Sequence, residues 1–278
     1  MSQELYYREV STVSEARNFE RNFGPIVAQV LNSAPVEVQS GVKECSVKKY
    51  GKVPNLVAPT KLHEIQTDFD RQLTTVGRRQ SAATQLKVAA LATLVASQDN
   101  LAVSSPDAIV DHLQRIVESS NVESANREIK AAFKEIKVQH TQVFISNLAT
   151  AVRMSAEAIG FRRIKVDNQS EDKVRIVSEN STGQNLIAEI AIGSTIDIHT
   201  ELLGYTDGSC RKVMTAFDKE LSSRGVSMET KTRNETNGVP QMPYSQVLVK
   251  KASSINRTFI DEESEERVKQ CDTITIKQ

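Results

Sequence analysis

The chain has 278 residues, 25% charged and 39% hydrophobic, enough for one large domain or two ordinary ones and too apolar for wholesale disorder. Its 35 basic residues balance 35 acidic ones, which disfavours a general polyanion binder, and 5% aromatic content without Trp disfavours a stacking platform for single-stranded nucleic acid. Three scattered cysteines without C-x-x-C speak against a zinc knuckle or a disulfide framework; a charged N-terminus without an apolar core and the lack of any spanning apolar run point to the cytoplasm and to no membrane.

Residues 13–32 repeat Ala16, Phe19, Phe23, Val27, Val30 and Leu31 at spacings of three and four, a helical pattern. Gly24-Pro25 inside it either kinks the helix or ends one helix and begins another. From Pro35 to Pro59 the pattern alternates loosely around Gly41 and Gly51, which predicts a short hairpin or extended arm. From Thr60, the residues Leu62, Ile65, Phe69, Leu73 and Val76 predict an amphipathic helix of coiled-coil character. That helix is expected to run past Gly77 into the alanine-rich stretch that follows, where small side chains let helices approach closely.

Ser105-Pro106-Asp107 reads as a helix start for the stripe Ile109, Leu113, Ile116 and Val117. Ser124 is a second cap candidate, before a long run from Ile129 to Ile159 that Gly160 should stop. At Phe161 the period changes from about 3.6 to 2. "FRRIKV", "KVRIVS", "NLIAEIAI" and "TIDIHTEL" predict a four-strand antiparallel meander, followed by a helix near 209–223 that Gly225 ends. "SQVLVKKA" reads as a further strand, and "DEESEERVKQ" as a solvated helix or tail. The expected fold is therefore α+β. A helical domain over 1–160, with an extended segment near 35–59, precedes an α+β domain over 161–278.

Candidates for chemistry cluster around the last hairpin. Asp197, His199 and Glu201 are two apart and share one face of a strand. Imidazole and carboxylates form a fair divalent-metal set, but alternate strand residues lie about 6.5–7 Å apart, too far for the outer two to share one ion unaided. The competing reading is a polar sheet face behind which Ile196, Ile198 and Leu202 cover a helix. In "GYTDGSC", Gly204 and Gly208 allow tight turning, and Thr206 and Asp207 suit helix capping better than anion binding. Cys210, in the first turn of the helix, is either a small buried residue or an activated thiol with His199 as the nearest base. The basic residues Arg162, Arg163, Lys165, Lys173 and Arg175, with Arg211 and Lys212, could form a phosphate-binding patch. Arg162 points away from Arg163 and Lys165, which splits it and favours a solvated edge. His63, His112 and His140 lack ligand spacing and read as surface or boundary residues. Phosphate-loop, dinucleotide, nucleophile-elbow and zinc-protease signatures are all missing.

The isoleucine-rich hairpin, the corner "ELLGYTDGSC" and the amphipathic helix after it together resemble a small bacterial and plastid domain family that has no established chemistry. The resemblance covers about 186–221 and rests on Gly204, Tyr205, Gly208 and Cys210. The family usually places its second glycine one position earlier, where this chain has Asp207. Its members are often encoded beside AAA+ ATPases, so the resemblance implies a protein partner, an AAA+ ATPase among the candidates, and no catalytic residues. The expected function is thus non-enzymatic: an interaction or scaffold protein, with homo-oligomerisation a further expectation and no cofactor assigned. Two alternatives stay open, a nucleic-acid or nucleotide-binding module using the basic strands, and a metal- or thiol-dependent enzyme using His199 and Cys210.

Overall fold

A helix of 37 residues ends at Ala158 and a strand begins at Phe161, with Gly160 between them at φ 100°. The switch of period near Gly160 is thus a switch of structure, and the fold is α+β. The computed structural model describes residues 5–6, 23–47, 56–76, 80–205, 209–226, 230–235, 242–248 and 272–277. The chain divides into two compact units, Ser14–Phe144 and Met1–Val13 with Ile145–Gln278. The division falls inside the long helix, between Phe144 and Ile145, rather than at 160 where the secondary structure changes. Among the described residues no helix is long and apolar enough to cross a membrane.

The first unit contains α1 (Phe23–Ser33), α2 (Val36–Cys45), α3 (Leu62–Thr75), α4 (Ala82–Ser97), α5 (Asp107–Glu118) and the first part of α6 (Val122–Ala158). Helix α4 is buried on every side, and α1, α2 and α3 all pack on it. A helix apolar all round belongs at the centre of a core. Its two buried hydroxyls need partners there and find them locally: Thr93 donates to the carbonyl of Ala89, and Ser97 to that of Thr93.

Several expectations change here for identifiable reasons. Residues 36–45 form a helix, not a hairpin or extended arm. Gly41 looks like a turn residue, but a Cβ at this position would lie 2.8 Å from Val88 Cγ2 and 3.1 Å from Cγ1. Glycine is there because α2 and α4 approach closely, with Val38 and Val42 buried on the same side. The run from Thr60 is two helices, not one. Helix α3 ends at Thr75, and α4 starts afresh at Ser81, whose hydroxyl accepts the Thr84 N–H. Leu62 and Ile65 of α3 enter the core of this unit rather than a coiled-coil seam. Helix α6 is capped by Asn121, whose Oδ1 accepts the Ser124 N–H at 2.8 Å, so Ser124 is the capped residue and not the cap. Gly24-Pro25 lies within the described part of α1; residues 13–22, on which the choice between a kink and a new helix depends, lie outside the described residues.

His140 is not a surface residue. It is 0% exposed, its Nδ1 accepts the Ala102 N–H at 3.1 Å, and its Nε2 lies 2.7 Å from the carbonyl oxygen of Val57. Accepting at Nδ1 leaves the proton on Nε2, which donates to Val57. One neutral imidazole thus fastens two connecting segments to α6. Burial holds its pKa below the ordinary histidine value against the opposing pull of the Val57 hydrogen bond. Beside it, Gln139 Oε1 accepts the Ser105 N–H at 3.0 Å, and from α4 the Lys87 ammonium donates to the Val117 carbonyl at 2.8 Å. These side chains satisfy backbone groups that helices leave open in loops and at their ends.

The second unit holds one antiparallel sheet. Its strands are β1 (Leu5–Tyr6), β2 (Phe161–Ser170), β3 (Lys173–Asn180), β4 (Asn185–Ile192), β5 (Ile196–Leu203), β6 (Thr230–Glu235) and β7 (Asp272–Lys277), in the order β1-β6-β7-β5-β4-β3-β2. The four-strand meander is present as β2–β5, and three further strands extend it. One face of β3–β5 is a closed apolar field that includes Val174, Ile176, Leu186, Ile190, Ile196, Ile198 and Leu202. Helix α7 (Cys210–Ser223) buries Cys210, Met214, Phe217 and Leu221 along one stripe and ends before Gly225 at φ 72°. "SQVLVKKA" does not make a strand over its described part, because 243–248 are helical; "DEESEERVKQ" lies outside the described residues.

Two outcomes are expected. Gly41→Ala gains up to about 1 kcal/mol of helix propensity but forces α2 off Val88, for a net loss of about 1–2 kcal/mol in urea unfolding; Val88→Ala in the same chain should remove most of that penalty. His140→Ala leaves a buried N–H and a buried C=O without partners and should cost about 3 kcal/mol. Because the folded pKa of His140 is depressed, the unfolded chain binds the extra proton first, so stability falls as pH drops below about 6.5 and is flat above it. That part of the pH slope should vanish in His140→Ala.

Candidate functional site

Antiparallel pairing of β3, β4 and β5 lines up three transverse rows on one face of the sheet. The central row is Arg175, Glu189 and His199; on one side lie Lys173, Ala191 and Asp197, and on the other Val177, Ile187 and Glu201. The face opposite the apolar field therefore carries a concentrated set of ionisable groups. At its centre, Glu189 Oε1 accepts from Arg175 Nε at 2.7 Å and Oε2 from Lys173 Nζ at 3.0 Å. Burial pushes the Glu189 carboxyl up, but the hydrogen bonds and charges of Arg175 and Lys173 outweigh it and hold the group below its ordinary value. The cluster is therefore stabilising above the unfolded carboxylate value, near 4.3, and this contribution is lost as pH falls through the lower folded value.

A short helical segment, 243–248, with Met242 ahead of it, lies over this face. Met242, Tyr244 and Leu248 pack with Ile187, Leu203 and Val177. The Arg175 guanidinium sits 4.4 Å from the centroid of the Tyr244 ring, so it meets an aromatic face while its Nε holds Glu189. Glu201, 0% exposed, accepts the Met242 N–H at Oε2 over 3.2 Å. Buried carboxylates must be hydrogen-bonded, and here their partners are a neighbouring strand and the covering segment.

The row Asp197, His199 and Glu201 shares one face, as the spacing requires, but its members have separate surroundings. Thr195 Oγ1 lies 3.3 Å from each carboxylate oxygen of Asp197. His199 is half-buried, flanked in register by Glu189 on β4 and Thr275 on β7. Among the described residues, no three His, Cys, Asp or Glu side chains are placed to hold one metal ion. The polar face also differs from the wet surface expected of it, since Glu201 is fully enclosed. Gly204 adopts φ 86° and turns the chain beside Gln184, and Tyr205 is buried. Thr206, Asp207 and Gly208 lie outside the described residues. Cys210 opens α7 and is buried at 3% exposure within its apolar stripe.

The basic set is distributed. Arg162 is exposed on β2 at a register shift, Arg163 reaches Glu179 on β3 at 3.3 Å, and Lys165 is exposed. Lys173 and Arg175 both face Glu189, while Arg211 and Lys212 are exposed on α7. Sequence reasoning missed Glu189 and Tyr244. Glu189 was detectable, as the one acid in an otherwise apolar strand that must be buried on both faces and so needs a cation. Tyr244 gave no local signal, because its partner lies 69 residues earlier, at Arg175. No family model, curated protein or solved structure matches the chain.

Removing the Glu201 carboxylate leaves the Met242 N–H enclosed without its acceptor, a cost of about 1–2 kcal/mol. Glu201→Ala should therefore raise hydrogen exchange over 242–248 about tenfold or more, with exchange in β2 unchanged, as read by mass spectrometry.

Proposed function

We propose that the protein works by binding other proteins, as a scaffold or assembly subunit, and not by catalysis. The observation that carries this reading is the engagement of three of the side chains suited to chemistry. Glu189 is held between Arg175 and Lys173, Glu201 holds the Met242 amide, and Cys210 lies inside the buried stripe of α7. Each supports an internal contact of the fold, which leaves the outer surfaces to serve recognition. An AAA+ ATPase is the class of partner that the hairpin resemblance favours. The nucleic-acid reading loses support because Arg163, Lys173 and Arg175 face carboxylates within the sheet, on a chain of zero net charge.

The test is affinity capture with the full chain as bait, run beside metal analysis and turnover assays of the same preparation. The expected result is a protein recovered in simple stoichiometry, still recovered with His199→Ala and Cys210→Ser. Stoichiometric metal that His199→Ala loses, or a turnover that Cys210→Ser abolishes, would overturn the proposal.

A further inference from the structure

Strand β2 ends the sheet and, among the described residues, pairs only with β3. It is ten residues long, and between its two register shifts the ladder is regular from Arg163 to Asn168. An outer strand of this length is a ready template for another strand. Its centre reads Lys165-Val166-Asp167, with Lys165 exposed, Asp167 half-buried and Val166 45% exposed. This triplet is complementary to itself when reversed.

We propose that two copies of the chain join through β2, antiparallel about a twofold axis at Val166, to make one continuous sheet across the dimer. A twofold axis perpendicular to the sheet keeps the polar faces of both copies on the same side, so only registers that pair odd with odd positions are allowed. Centred on Val166, Lys165 stands opposite the partner's Asp167 and Asp167 opposite the partner's Lys165. Arg163 faces the partner's Gln169, and the two valines meet at the axis on the other face. Sliding by one allowed step centres the pair on Lys165 or on Asp167. Like charges then stand directly opposite one another, which destabilises a ladder. The step that centres on Lys165 also asks Arg163 to reach Asp167, although Arg163 already faces Glu179 on β3. Register shifts and lysines usually guard a sheet edge against pairing; here they bound and select a single register. An acidic strand from a different protein would match Lys165 but leave Asp167 facing a like charge, so a second copy is the better occupant.

This inference deepens the assembly reading above and rests on it. The test is sedimentation equilibrium of the full chain and of Lys165→Glu, Asp167→Lys and the double charge swap. Wild type should dimerise, and each single variant should dissociate about 10- to 100-fold more readily. The double variant, which inverts both pairs across the axis but also sets a second cation opposite Arg175 and removes the acceptor of Gln169 in its own chain, should regain most of the association that either single variant loses. The far-UV circular dichroism of all four should agree, and if a single variant misfolds, recovery in the double variant still decides. A wild-type chain that stays monomeric, a dimer indifferent to Lys165→Glu, or a double variant that fails to recover sinks the self-pairing. A monomer that still captures a protein partner overturns this inference alone, whereas a charge-rescued dimer that captures nothing, beside metal lost with His199→Ala, overturns the broader reading and not this one.

Discussion

A carboxylate enclosed in a sheet must be met by cations or hydrogen-bond donors, and most of what distinguishes the second unit follows from meeting that demand at Glu189. Arg175 and Lys173 come from the adjacent strand, Arg175 directly opposite Glu189 and Lys173 from the next row, opposite Ala191. The guanidinium that binds Glu189 also sits 4.4 Å over the ring of Tyr244, which helps bring 242–248 onto the sheet. The covering segment then encloses Glu201, whose carboxylate holds the first amide of that segment. Lacking its cations, Glu189 would take up a proton or drive the strands apart, and Tyr244 would lose the polar half of its contact. A face that looks chemically active in sequence is in this way a fastening between sheet and strap.

The helical unit follows a different rule, the exclusion of volume at one crossing. Because α4 is apolar all round, its neighbours must come close, and Gly41 sets how near α2 can lie. His140 solves the remaining problem of the unit, backbone groups in the connections that no helix satisfies.

The parts of this architecture that could be read from sequence are those encoded in local period. The strands from Phe161 to Leu203, the stripe of α5, and the stops at Gly160 and Gly225 depend on neighbours a few residues away. Misreadings occurred where a residue serves a distant contact. Gly41 has the look of a turn because glycine is common in turns, yet its reason is Val88, 47 positions later. His140 seems incidental in α6 because its partners, Val57 and Ala102, come from two other segments. The apolar run at Val247 and Leu248 reads like a strand, yet 243–248 are helical and Leu248 packs on a strand face far back in the chain. At the candidate site, the common face of Asp197, His199 and Glu201 was legible. The partition of those three among Thr195, the Glu189 row and the Met242 amide was not, because it depends on cross-strand register and on the covering segment.

The strand order also constrains the sequence of events by which the molecule is made. Strand β7, at 272–277, is inserted between β5 and β6, both of which are synthesised before it. As the polypeptide emerges from the ribosome, the meander β2–β5 can close while its inner flank at His199 to Glu201 waits for a strand still to be translated. The flank of β5 is thus completed by a late arrival, and β6, which among the described residues pairs with β1 and β7, joins the sheet through it. During that interval the vacant flank is a place where a chaperone, or a misplaced strand, competes with the native one.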